Sequence, residues 1–138
     1  MHFFLFTFGC GKKSEGKVDN IASNKAKKSK KTGEIIFIAS SQDFDEILSN
    51  NALVLVDFYA DWCGPCHMLK PTIKEIARDY EGRVKVITVD IDKFRTLAGQ
   101  FNINSIPDVK LFREGSLERS FMGVQPKQSY TQVIDSLL

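Results

Sequence analysis

The chain has 138 residues, three cysteines and a formal net charge of +2, enough length for one domain with a proper hydrophobic core. Three cysteines are too few for a disulfide scaffold. Eight lysines between residues 11 and 33, against Glu15 and Asp19 alone, make that segment basic and leave the rest of the chain net acidic, which gives no reason to expect nucleic acid as a partner.

In chain order, residues 1–10 (Met-His-Phe-Phe-Leu-Phe-Thr-Phe-Gly-Cys) are short and apolar. They resemble the end of a bacterial lipoprotein signal, in which a cysteine after a small residue is lipidated. Gly9-Cys10 fits that pattern, whereas Thr7 and Phe8 fit it poorly and a basic leading region is absent. The expectation is a signal remnant with Cys10 as the lipidation site; the alternative is a frayed cytoplasmic N-terminus with an incidental cysteine. Residues 11–33 are rich in Lys, Ser, Asn and Gly. Such a segment cannot bury enough surface to offset its ordering entropy, so a disordered linker is predicted there. No apolar stretch approaches the roughly 20 residues of a membrane-spanning helix.

From Glu34 to Leu138 the pattern is that of a folded domain. Ile35 to Ile38 is a β-branched run. Phe44, Ile47 and Leu48 fall at helical spacing behind the candidate caps Ser40, Ser41 and Asp43. Leu53 to Tyr59 reads as a buried strand, and Leu69, Ile73, Ile76, Ala77 and Tyr80 share one face of a helix. Val84 to Val89 is a further strand, and Phe94, Leu97, Ala98 and Phe101 mark a short helix. Val109 to Phe112 and Leu117 to Phe121 are strands joined through Glu114-Gly115, a hairpin signal. Pro126 starts a last helix that carries Tyr130, Val133, Ile134 and Leu137 on one face. The order βαβαβαββα predicts an α/β domain, a central mixed β-sheet flanked by helices on both faces.

Between the buried strand and its helix stands Trp62-Cys63-Gly64-Pro65-Cys66. Two cysteines two residues apart at a strand-to-helix turn are placed to form a reversible dithiol/disulfide. The first lands at a helix N-terminus, where free N–H groups and the dipole favour a thiolate. Pro71, inside the helix, has no N–H for the carbonyl of His67 and predicts a kink.

The run Val56 to Cys66, with Met68 and Pro71, resembles the active-site strand and helix of the thioredoxin family. Ser105-Ile106-Pro107, Phe112-Arg113-Glu114-Gly115 and Gly123 match later parts of it. The resemblance covers about residues 34–138 and implies the thioredoxin fold and a thiol–disulfide oxidoreductase that reduces protein disulfides. No cofactor is implied beyond the redox-active disulfide Cys63–Cys66. Cys63 is then the nucleophile and Cys66 the resolving thiol, with Gly64 and Pro65 keeping the turn tight. Asp57 becomes a buried acid or base behind Cys66. Ile106-Pro107 becomes a cis-proline loop whose backbone pairs with an extended substrate, and Trp62, Gly64, Pro65, Ile106, Met122, Gly123 and Val124 form an apolar docking patch. Implied partners are disulfide-containing proteins and an upstream electron donor, either a thioredoxin reductase or a membrane thiol donor. Anchoring through Cys10 points to the cell envelope, its absence to the cytoplasm.

Three positions depart from the family pattern. Thr88 stands where many members carry a Lys beside the buried Asp, Asp108 where Thr usually follows the cis-proline, and His67 where Lys is common. Asp108, placed near the dithiol, is expected to disfavour the Cys63 thiolate unless Lys110, on the same strand face, pairs with it. His67 also completes Cys-x-x-Cys-His, formally a haem attachment signature. The strand–helix setting argues against haem, and three local ligands argue against a zinc site. The rival activities are an envelope disulfide oxidase or isomerase and a docking module with idle cysteines.

Overall fold

The computed structural model describes residues 33–138. The predicted lipidation site Cys10 and all of the linker except Gly33 lie outside the described residues. The elements in chain order are β1 (Ile36–Phe37), α1 (Ser41–Asn50), β2 (Leu53–Tyr59), α2 (Gly64–Asp79), β3 (Lys85–Asp90), α3 (Arg95–Gln100), β4 (Asp108–Arg113), β5 (Ser116–Met122) and α4 (Lys127–Leu137). They match the predicted order. The first strand is shorter than its β-branched run, because only Ile36 and Phe37 find partners, Ile87 and Thr88.

The sheet runs β1-β3-β2-β4-β5. β3 is parallel to β1 and β2, while β4 is antiparallel to β2 and β5. Central β2 is buried along nearly its whole length, as a strand covered on both faces must be. Side chains alternate between the faces. Leu53, Leu55, Val109 and Leu111 meet Leu69, Ile73 and Ile76 of α2 and Tyr130 and Ile134 of α4. Val54, Val56, Phe58 and Phe112 meet Phe44 of α1 and Leu97 of α3 on the other. There the Phe101 ring lies 5.7 Å from Phe44, 6.0 Å from Phe58 and 5.4 Å from Phe112, in tilted and edge-on geometries that suit the ring quadrupoles.

Local chemistry sets the element ends. The Ser40 side chain caps α1 by accepting the Asp43 N–H at 3.0 Å. Pro126 stands one residue before α4, as its N-cap, with an extended backbone that prepares the helix entry. Glu114 and Gly115, at φ 50° and 82°, make the two-residue turn between β4 and β5 whose twist matches that of the strands. Gly33 is buried at φ 68°, and a Cβ there would stand 3.0 Å from both the Cβ of Arg78 and the carbonyl of Lys74. The chain therefore enters the domain in contact with α2, at a place only glycine fits.

Candidate active site

β2 ends at Tyr59, the chain turns through Ala60 to Trp62, and α2 opens at Gly64. Cys63 is the N-cap of α2, and its Sγ accepts the backbone N–H of Cys66 at 3.1 Å. Cys63 and Cys66 form a disulfide. An N–H aimed at Sγ, together with the positive end of a sixteen-residue helix, stabilises negative charge on Cys63 once the disulfide opens. The expected difference in exposure between the two cysteines is slight in this oxidised state, 4% for Cys63 against 2% for Cys66. Ala60, Tyr59, Ile91 and Ile106 pack around both.

The loop before β4 lies against the dithiol. The Ile106–Pro107 bond is cis, and the Ile106 carbonyl faces Cys63 Sγ at 3.9 Å. The Gly123 N–H donates to the Pro107 carbonyl at 2.8 Å, and Asp108 pairs with Met122 in register. This brings Met122-Gly123-Val124 beside the Ile106-Pro107 loop, with Met122 and Val124 exposed. Trp62 is 69% exposed, yet its Nε1–H donates to Asp92 Oδ2 at 2.9 Å. A cleft of about 280 Å³ runs between Trp62, Ile91, Ile103 and Ile106. Of the residues predicted as a docking patch, Trp62 and Ile106 line this cleft, joined by Ile91 and Ile103, and Met122-Gly123 lies beside the Ile106-Pro107 loop. No local signal marked Asp92, which lies thirty residues from its partner.

Behind the dithiol, Asp57 is 3% exposed and lines a second cleft, of about 700 Å³, together with Cys66, Thr88, Tyr59 and Lys70. Burial pushes its carboxyl up to about 7, against a smaller downward pull from the Lys70 ammonium. Asp57 Oδ1 has no hydrogen-bond partner among the described residues. A buried carboxyl near neutrality can hold or release a proton at working pH. Lys70 went unnoticed in the sequence, although its spacing of four residues from Cys66 on one helix was the available signal.

The pairing expected between Asp108 and Lys110 is present. Asp108 and Lys110 share the sheet face of Phe112, opposite to the face that carries Asp57, Val109 and Leu111. Lys110 Nζ lies 3.3 Å from Asp108 Oδ1, with both side chains buried, and donates to Ser120 Oγ at 2.9 Å. The Asp108 charge is thereby countered within its own layer. His67 is exposed, as expected, and its Nε2–H donates to the Asp61 carbonyl at 2.7 Å, tying α2 to the loop before Cys63. Among the described residues no group of three or more His, Cys, Asp and Glu side chains is placed to hold a metal ion.

The family model described as thioredoxin matches residues 35–136. The chain is 41% identical over 93 residues to thioredoxin 1 of Nostoc sp., covering 67% of this chain and 87% of that protein. It is 40% identical over 100 residues to a thioredoxin of Chlorobaculum thiosulfatiphilum, covering 72% and 93%. The thioredoxin structure from Plasmodium falciparum matches with a TM-score of 0.68 at 33% identity, over 75% of this chain and 99% of that one.

Proposed function

The chain belongs to the thioredoxin family and is a thiol–disulfide oxidoreductase that reduces protein disulfides, and from that premise we propose the roles of its residues. In the reduced protein the Cys63 thiolate attacks one sulfur of a substrate disulfide. A Cys63–substrate disulfide forms, and the other substrate sulfur leaves as a thiolate and takes up a proton. Asp57 then accepts the Cys66 proton, and the Cys66 sulfur attacks Cys63 Sγ. The Cys63–Cys66 disulfide closes and the second substrate sulfur leaves, so two electrons pass from the dithiol to the substrate. The pair carries the electrons itself, with no further cofactor. Trp62, Ile106, Pro107 and Gly123 receive the substrate chain, and Gly64 and Pro65 set the turn that holds the sulfurs in reach of each other.

The observation that carries this reading is the Cys66 N–H on Cys63 Sγ at the head of α2, which distinguishes one sulfur as the nucleophile. Reduction of insulin disulfides with dithiothreitol as electron source tests it. Turnover is expected from the native chain and lost in Cys63→Ser; equal turnover by that variant refutes the reading.

The family implies disulfide-bearing substrates and a reductant of the thioredoxin reductase type. No helix among the described residues is long and apolar enough to cross a membrane. We further propose that residues 1–10 are a signal remnant, that Cys10 carries lipid at the cell envelope, and that residues 11–33 tether domain 34–138 to it. A membrane thiol donor then supplies the electrons. The support is the apolar run ahead of Gly9-Cys10 and the lysines that follow, which suit an anionic surface. Mass spectrometry of the protein from its native cells decides the matter. Lipid mass on Cys10 is expected; an unmodified Cys10 refutes anchoring and leaves a cytoplasmic enzyme.

A further inference from the structure

The cleft behind the dithiol holds a charge arrangement that neither the motif nor the strand pattern provides. Asp57 on β2 faces Thr88 on β3 in parallel register. Thr88 is buried, and its Oγ1 has no hydrogen-bond partner among the described residues. Position 88 therefore brings a hydroxyl to the carboxyl and no charge. The cation comes from the helix. Lys70 lies one turn beyond Cys66 on α2, so both project on the same side, and Lys70, Cys66, Asp57 and Thr88 line one cleft. Lys70 is itself solvent-exposed at the mouth, an arrangement in which a long stem reaches inward while the charge stays hydrated.

Other titratable groups face the same space. Lys74, a further turn along α2, Tyr59 on β2 and Glu34 ahead of β1 also line the cleft. Tyr130 of α4 senses the Asp57 charge from the side of the second helix. Lys70 is the group whose charge draws the Asp57 carboxyl down against the effect of burial.

We propose that Lys70 is a positioning residue for the resolving step, its ammonium acting from α2 to keep Asp57 able to give up its proton and hence to take that of Cys66. The proposal rests on the reading of Asp57 as the base for Cys66. In the step itself the Cys66 S–H bond breaks, the proton passes to an Asp57 carboxylate oxygen, and the Cys66 sulfur displaces the substrate sulfur from Cys63. Lys70 forms and breaks no bond; it favours the ionised carboxylate that accepts the proton.

The test follows the Asp57 carboxyl carbon by NMR across pH in the reduced full chain, beside the rate at which a preformed mixed disulfide of Cys63 with a chromogenic aryl thiol resolves. Lys70→Gln is expected to raise the Asp57 midpoint by roughly half a pH unit and to slow resolution about threefold below it, the size an exposed cation exerts through solvent. Lys70→Arg retains the native profile, and Lys70→Gln with Thr88→Lys restores it by delivering the charge from β3. The alkylation rate of Cys63 stays near the native value throughout, which separates the effect from general damage to the site. An Asp57 midpoint unchanged in Lys70→Gln overturns the role of Lys70 and leaves Asp57 as base. Resolution unchanged in both Lys70→Gln and Asp57→Asn overturns the two together.

Discussion

At the scale of single residues, Asp57 is the position where function opposes stability. An unfolded chain ionises this carboxyl near 3.8, whereas the folded protein holds its proton up to about 7. Between those values the folded state binds the extra proton, so the contribution of this group to stability is fully present below about pH 4 and is lost as pH rises through about 7. A shift of this size corresponds to a loss on the order of 4 kcal/mol. Asp57→Asn, nearly the same shape without the charge, is expected to unfold later than the native chain in urea at pH 8 and at nearly the same concentration at pH 4. It should also resolve mixed disulfides more slowly. Equal midpoints at both pH values contradict the buried-acid account. The motif made Asp57 legible, since a carboxyl in an apolar strand next to Cys-x-x-Cys has few other uses. Lys70 was not legible in the same way, because an exposed lysine on a helix is ordinary until the fold shows what shares its cleft.

At the scale of elements, the ion pair inside β4 and the ties between α2 and α4 hold the site in place. Lys110 and Asp108 sit two residues apart on one buried strand face and form an ion pair, and Lys110 donates a hydrogen bond to Ser120 of β5. Removing one partner leaves a charge in an apolar layer. Lys110→Met is therefore expected to cost about 3–5 kcal/mol, and adding Asp108→Val to recover most of it; urea midpoints of both variants check this. A double variant no more stable than the single one contradicts the pairing. On the other face, the Tyr80 hydroxyl donates to Asp135 Oδ1 at 2.6 Å. Burial, and then this hydrogen bond, hold the phenol up to about 12. Lys127 meets Glu75 at 3.1 Å and Asp79 at 2.7 Å. Tyr80→Phe should lower stability by about 1 kcal/mol, and a thermal midpoint identical to the native one contradicts that tie. The pairing of Asp108 with Lys110 could be anticipated from strand periodicity. Their placement on the face opposite Asp57 needed the register of β4 against β2, which no local pattern encodes.

At the scale of the whole molecule, the element order was readable from Glu34 onward because each strand and helix carries its own period and its own stop signal. A boundary moved where partners decide it: the first strand shrank to Ile36–Phe37. The site was readable to the extent that it is local. Cys63, Cys66, Gly64 and Pro65 are consecutive with Trp62, whereas Asp92 and Ile103 join only through the fold. What the sheet achieves is convergence: β2 delivers Asp57 and the dithiol turn, β4 follows the Ile106-Pro107 loop, and β5 ends at Met122-Gly123 beside it. The sulfur at the helix cap faces this docking surface and the second sulfur faces the cleft that holds Asp57. The exchange is thus ordered, Cys63 first and Cys66 second. Its most direct test is to incubate reduced Cys66→Ala and, separately, reduced Cys63→Ala with a disulfide-bearing protein and map the covalent adducts by peptide mass spectrometry. A stable mixed disulfide is expected on Cys63 in the first variant and almost none on Cys66 in the second; equal adducts on both cysteines, or adducts on Cys66 alone, would contradict that order.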